Sequence, residues 1–485
     1  MSTAVREGVG FRSERGPVLI ALMLTTGLVA IDATILATAV PSIVADLGGF
    51  SQFPWLFSVY LLAQAASVPV YAKLADTVGR KPIVLIGISL FLLGSVLCGF
   101  AWSMPALIGF RVVQGLGAGA VMPMAVTIAG DIYTVAERAK VQGYLASVWA
   151  ISSVVGPTLG GIFSQFTSWR WIFFVNVPLC IVAGWMLIRN FHESIEPRRH
   201  RIDYAGAVLL TAGMSLLILA VLEGGQAWAW NSVQSIGAFV LSGVMLMAFV
   251  LVERRAAEPI LPLWIFSRRL LLTTTLISLG VGAMLIGLTS YVPTYLEGSI
   301  GAVPVVAGLA VAALTIGWPI SAALSGRFYL RIGFRNTALV GMVIAVVGAV
   351  CLFLTSPHPS VAFVAISCFI VGLGMGLVAT PTLIAAQSSV PWNERGVVTG
   401  TNLFARSIGS SVGVAIFGAI ANAIIAGSAR GEHDPGTVEA AGGAVFLAVA
   451  IAAVLTITAG LAMPKGRVED IEMARPAAQP EEGAA

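Results

Sequence analysis

The chain has 485 residues, 58% of them hydrophobic and 10% charged, with mean hydropathy +0.93 and a formal net charge of +4. A soluble protein of this length needs far more charge to cover its surface, which excludes a water-soluble enzyme or nucleic-acid-binding domain. The apolar residues fall in blocks of about twenty, the length that crosses a bilayer core, and the basic residues lie between the blocks, where anionic lipid retains them.

The N-terminus carries Arg6, Arg12 and Arg15 ahead of an apolar stretch from Pro17 past Asp32 to Val40. That stretch is too long for a signal-peptide core and lacks a small-residue cleavage site, so it is read as a retained first spanner. Spanning helices are expected near 17–40, 54–74, 82–101, 105–128, 141–164, 170–190, 203–222 and 233–253. Six more are expected near 270–294, 303–326, 335–355, 360–385, 396–424 and 441–463, which makes fourteen. With a cytoplasmic N-terminus, 23 of the 27 Lys and Arg fall on the cytoplasmic side. Arg170 and Arg430 fall outside, and Arg111 and Arg406 lie within helices. This bias predicts both termini cytoplasmic. The four cysteines, Cys98, Cys180, Cys351 and Cys368, lie inside apolar blocks without metal-ligand spacing and read as packing residues. The loop 254–269 has basic ends and an apolar centre, and is expected along the interface with Trp264 and Phe266 toward lipid. The polar tail 464–485 is expected to be disordered.

The sequence also resembles itself. Gly115, Gly117 and Gly119 of spanner 4 match Gly372, Gly374 and Gly376 of spanner 12 at an offset of 257. At that offset Glu137-Arg138 meets Glu394-Arg395, Gly143 meets Gly400, Ser153 meets Ser410, Gly156 meets Gly413 and Gly161 meets Gly418. The loop after spanner 2 echoes the loop after spanner 10 at an offset of 254. An all-α membrane fold is therefore expected, with two six-helix bundles, 1–190 and 256–463, around a central cavity and two inserted transmembrane helices over 191–255.

Ala72-Lys73-Leu74-Ala75-Asp76-Thr77-Val78-Gly79-Arg80-Lys81 resembles the loop 2–3 signature of the major facilitator superfamily. Leu107 through Gly119, with Arg111 and Gln114-Gly115, resembles its fourth-helix motif. Gly156-Pro157-Thr158-Leu159-Gly160-Gly161 is similar to the fifth-helix motif of its antiporters, and Ile31 through Pro41 to the first-helix motif of drug:proton antiporters. Trp169 through Pro178 is similar to a run typical of the fourteen-spanner branch. Ala72 and Ser152 stand where the family usually has glycine. The resemblance implies a major facilitator fold, drug:proton antiport of the multidrug efflux type and a bacterial plasma-membrane location.

Physical chemistry gives the motifs roles. Asp76, Gly79 and Arg80 form either a gating latch, with Asp76 against a helix end or arginine and Gly79 in a tight turn, or a charged loop that only fixes topology. Leu330 stands where the repeat would place a second Asp76. Gly156, Pro157, Gly160 and Gly161 permit close packing and a bend at a gate. Asp32 and Arg111 fall at similar depth in the outer half of the membrane. A charge there costs about 2.5–3.5 kcal/mol on insertion scales, which marks Asp32 as either a proton site released from Arg111 or a permanent brace. Cavity candidates are Tyr60, Gln64, Gln114 and Trp149 in the first bundle and Tyr291, Trp318, Asn402 and Arg406 in the second. Glu297 and Tyr295 near helix ends read as solvated or interfacial.

No Walker loop, metal cluster or nucleophile–base constellation occurs, so no enzyme activity and no cofactor is expected, and energy is expected from an ion gradient, of protons or of sodium, with one intramembrane carboxyl suiting a proton better. The expected partners are protons, membrane lipids and a small lipophilic or cationic molecule, with the chain a monomer and nucleic acid excluded. The leading function is proton-coupled export of drugs, dyes or an endogenous metabolite by alternating access. A proton-coupled lipid or metabolite transporter or symporter of the same fold is the alternative.

Overall fold

The structure is a computed structural model. It describes residues 9–48, 55–193, 203–224, 228–256, 259, 261–428 and 434–465; the tail expectation for 464–485 and Arg430 lie outside these, apart from 464–465. The elements are helical throughout the described residues, apart from one isolated bridge between Gly224 and Trp228.

The first group is α1 (Gly16–Leu47), α2 (Trp55–Val78), α3 (Arg80–Gly99), α4 (Met104–Ile132), α5 (Val135–Phe166) and the broken pair α6 (Trp171–Phe174) and α7 (Asn176–Asn190). Then come α8 (Tyr204–Glu223), α9 (Val233–Glu253) and the short α10 (Trp264–Ser267). The last group is α11 (Arg269–Ile300), α12 (Pro304–Ile332), α13 (Phe334–Thr355), α14 (Val361–Ser388), α15 (Arg395–Gly427) and α16 (Pro435–Ala462). Thirteen helices among the described residues are long and apolar enough to cross a membrane, with α6 and α7 counted as one span. The apolar stretch described for α8, Ala205–Leu217, is shorter than that length.

Helix ends follow local chemistry. Ser103 accepts the Ala106 N–H at the start of α4, Thr134 and Glu137 form a capping box on α5, and Asp434 accepts the Thr437 N–H on α16. Gly79 and Gly333 turn the chain into α3 and α13 with φ of 105° and 82°, where any side chain would be strained. In α10, Phe266 is exposed while Trp264 is half-buried beside Ile265, with the Arg268 guanidinium 4.4 Å from its ring centre.

The packing repeats as the glycines do. Gly115 lies on the Tyr60 backbone, Gly117 on Phe91 and Gly119 on Gln64 and Ser67. In the last group Gly372 lies on Leu314, Gly374 on Ala345 and Gly376 on Trp318 and Ser321. A Cβ at any of these six would collide with its neighbour, so glycine is what brings α4 against α2 and α3, and α14 against α12 and α13. These neighbours are related by 254 positions while the glycines are related by 257, so three extra residues sit near the corner between α13 and α14.

The two groups meet along two seams, α5 on α12 and α2 on α15. Small residues close both: Gly143 lies on Ala323, Gly326 on Ala139, Gly396 and Gly400 on Ala72. The α8–α9 hairpin leans on the second seam, where Leu210, Met214 and Phe249 pack with Val68 of α2 and Phe404 of α15.

Candidate functional site

Asp32 sits mid-way along α1 and is 1% exposed. Its Oδ2 accepts from Arg111 Nη1 at 2.6 Å and its Oδ1 accepts from Gln114 Nε2 at 2.8 Å. Arg111 also donates to Gln114 Oε1 at 2.6 Å and, through Nε, to the Leu56 carbonyl at 3.1 Å. Its guanidinium stacks 4.1 Å from the Tyr60 ring centre. Ser95 of α3 accepts from Gln114 at 2.9 Å, and Asn176 at the start of α7 reaches Asp32 Oδ1 at 3.4 Å. Four helices thus cage one carboxylate, whose negative charge is balanced by one buried cation. Breaking such a pair by removing one partner costs about 3–5 kcal/mol, because the remaining charge stays buried. Tyr60 Oη and Asn176 Oδ1 are buried and meet no hydrogen-bond partner among the described residues.

The helix depth read from sequence brings Asp32 and Arg111 together. Gln114 belongs to the same cage and is fully buried in it. Ser95 and Asn176 were not singled out by sequence: both are ordinary small polar residues on peripheral helices. The signal for Asn176 was its place in the run from Trp169 to Pro178.

Other candidates lie apart from this cage. Gln64, one turn beyond Tyr60, and Trp149 of α5 are half-buried. Tyr291 donates from Oη to the Val414 carbonyl at 3.3 Å. Asn402 is buried, accepting from Ser278 at 2.8 Å and donating to the Val398 carbonyl at 3.1 Å, so its amide is committed to the α11–α15 contact. Arg406 stacks 5.6 Å from the Trp318 ring centre, and its Nε is buried with no hydrogen-bond partner among the described residues. Tyr295 is buried and donates to the Ser356 carbonyl at 2.8 Å, a packing contact.

The loop 2–3 residues join the two groups. Asp76 accepts the Gly396 and Val397 N–H groups at 2.9 and 2.6 Å, at the first turn of α15 where the helix dipole favours a carboxylate. Arg80 pairs with Asp76 at 2.7 Å and Asp131 at 3.0 Å, donates to the Trp392 carbonyl at 2.7 Å and lies over the Trp392 ring at 3.8 Å. Asp131, which sequence reading missed, also binds Arg395 at 3.0 Å. Arg138 donates to Ser388 at 3.0 Å, and Tyr329 Oη to the Val135 carbonyl. All of these lie at the basic end of the helices. Farther along, Ser153 and Thr315 are 3.5 Å apart. Gly156 abuts Thr34, which donates to the Ser152 carbonyl at 2.9 Å. Gly160 is buried, Gly161 faces open space, and the Pro157 side chain lies outside the description.

The major facilitator superfamily model matches residues 22–414, which run from α1 into α15 and take in the cage and the basic-end network. The chain belongs to the major facilitator superfamily. Multidrug resistance protein 3 of Bacillus subtilis (strain 168) is 37% identical over 403 residues, 83% of this chain and 79% of the relative. Multidrug transporter protein MdtP of the same organism is 35% identical over 418 residues, 85% of this chain and 76% of the relative. Among solved structures, the human organic anion transporter MFSD10 (TETRAN) superposes with a TM-score of 0.67 at 13% identity, covering 92% of this chain and 99% of that one. The proton:xylose symporter XylE superposes at 0.61 and 13% identity, covering 94% and 98%. Both share the major facilitator fold. Members of the superfamily are transporters that take small-molecule substrates, and this chain is a multi-pass membrane transporter with relatives named for multidrug efflux.

Proposed function

We propose that the protein is a proton-coupled antiporter that exports small organic molecules across a bacterial plasma membrane by alternating access. In this reading α8 is a fourteenth spanner, both termini face the cytoplasm, and the basic end is the cytoplasmic gate. The relatives named for multidrug efflux support the substrate class. The observation that carries the proton is the caged Asp32 carboxylate, held by Arg111 and Gln114 away from the membrane surface.

The contacts at the basic end are formed and Asp32 is paired with Arg111 in the same structure. A relative movement of α1 and α4 that lengthens the 2.6 Å contact would part Asp32 from Arg111 and let a proton take the place of the guanidinium. Return to the paired form would expel it. Asp76 at the α15 dipole and the Arg80–Asp131–Arg395 chain hold the gate until substrate and proton occupancy repay their loss. One charge crossing 100 mV supplies about 2.3 kcal/mol toward this cycle.

The test uses purified protein in liposomes loaded with ethidium, with an imposed pH jump. Wild-type protein should export the dye, and Asp32→Asn should lower pH-driven export at least tenfold while leaving gradient-free dye exchange in place. Normal pH-driven export by Asp32→Asn would sink the proton assignment.

A further inference from the structure

Away from the basic end and the opposite helix ends, the charged side chains among the described spans are Asp32, Arg111 and Arg406. Asp32 and Arg111 neutralise one another. Arg406 is left as a net positive charge eleven residues into α15, about 16 Å from its first residue. It makes no hydrogen bond or ion pair with any described residue, and its Nε is buried. The flanking polar residues on the same side of α15 are satisfied: Asn402 by Ser278 and the Val398 carbonyl, Ser410 by the Gly282 and Arg406 carbonyls. An unpaired guanidinium at this depth is costly and is retained where something charged comes to meet it.

Position says from where. α15 forms one seam with the first group and α12 forms the other, while α12 and α15 make no extended contact with each other. Arg406 nevertheless reaches to 5.6 Å from the Trp318 ring of α12. Its side chain therefore crosses the face that the second group turns toward the first. Stacking uses the flat of the guanidinium and leaves its N–H edge open, and that fork matches the two oxygens of a carboxylate or phosphate. Trp149, at the equivalent position of α5, supplies a second half-buried aromatic surface.

We infer that Arg406 with Trp318 forms the binding site for an oxyanion carried on an apolar, aromatic body, so that the transported molecules include amphiphilic anions. The chemistry is shared by a soluble aromatic carboxylate and by an anionic lipid headgroup. The transport consequence rests on the antiport reading: exchanging a monoanion for one proton moves two charges per cycle, whereas exchanging a monovalent cation moves none.

The test measures binding of 1-naphthoate and of tetraphenylphosphonium to the full chain in phosphatidylcholine nanodiscs. Wild-type protein should bind naphthoate, Arg406→Gln should weaken it at least tenfold without weakening tetraphenylphosphonium, and Arg406→Lys should fall between them. Should Arg406→Gln not stay monodisperse, Arg406→Lys carries the comparison with an expected loss of at least threefold. Competition by added phosphatidylglycerol would assign the oxyanion to lipid, and its absence would assign it to a soluble molecule; either keeps the site. Unchanged naphthoate binding in the variants, or wild-type protein that binds only tetraphenylphosphonium, overturns the inference. Binding is measured without any gradient, which separates this failure from a failure of proton coupling.

Discussion

The two six-helix groups share a backbone plan and differ in what fills it. In the first, the layer between α1, α3 and α4 holds Asp32, Ser95, Arg111 and Gln114. In the second, the matching positions are Ala349 for Ser95, Cys368 for Arg111 and Val371 for Gln114, all buried. The turn of α11 facing Gly413, as the Asp32 region faces Gly156, is Val281–Met284 and holds no ionisable residue. At mid-membrane the contrast reverses, because Trp149 of the first group answers to Arg406 of the second. Helix packing is thus set by the shared glycines, and charge is free to diverge on top of it.

The largest effect should come from breaking the polar layer on one side only. Arg111→Leu strands the Asp32 carboxylate and should lower stability by about 3–5 kcal/mol, whereas Cys368→Ala at the matching site should cost about 1 kcal/mol. Thermal unfolding in detergent measures both. Giving the first group the second group's residues, Asp32→Val with Arg111→Cys and Gln114→Val, removes both charges together and should recover most of the Arg111→Leu loss while abolishing pH-driven transport. If the triple variant is as unstable as Arg111→Leu, the pair is not what makes the layer fragile.

Next is the latch. Asp76→Ala leaves two N–H donors of α15 without their acceptor and takes one of its two carboxylate partners from Arg80, a loss of about 1–3 kcal/mol from the contact between the groups. Leu330→Ala, at the matching but half-exposed position, should change little. The alkylation rate of Ser388→Cys, with the four native cysteines replaced, should rise at least tenfold in the first variant and stay level in the second.

A smaller difference is expected within one motif. Gly156→Ala meets the Thr34 side chain and should cost about 1–3 kcal/mol, while Gly161→Ala meets open space and should be neutral or slightly stabilising. Equal effects would mean that close packing is not what the motif supplies.

The smallest concerns the end opposite the latch. Past the apolar part of α1, Arg170 and Trp169 donate to Asp46 and hold its carboxyl below the ordinary aspartate value. A depressed folded-state value adds stability that is present above about pH 4 and is lost as pH falls through the depressed value. The pair is substantially exposed, so Asp46→Asn should remove only about 0.2–1 kcal/mol near neutrality and nothing at strongly acid pH.

Much of this arrangement is legible in the chain itself. The glycine repeat gives the pairing of helices, because close helix approach tolerates nothing larger. Asp32 and Arg111 can be matched by depth, because rise per residue fixes how far each lies from its helix end. Rotation about a helix axis is not fixed that way. Gln114 reads as cavity-facing yet turns into the cage, Asn402 turns toward α11, and Asp131 gives no sign that it joins Arg80 to Arg395 across the seam. Such assignments need the packing of three or four helices at once.

The hairpin of α8 and α9 has a consequence for traffic. It covers the α2–α15 seam on its lipid side, and no described helix pair does the same for α5 and α12. A carrier whose internal plan is nearly twofold thereby acquires a front and a back. Molecules dissolved in the bilayer meet a wall on one flank and a seam lined by small residues on the other, so sideways entry, where it occurs, has a single door.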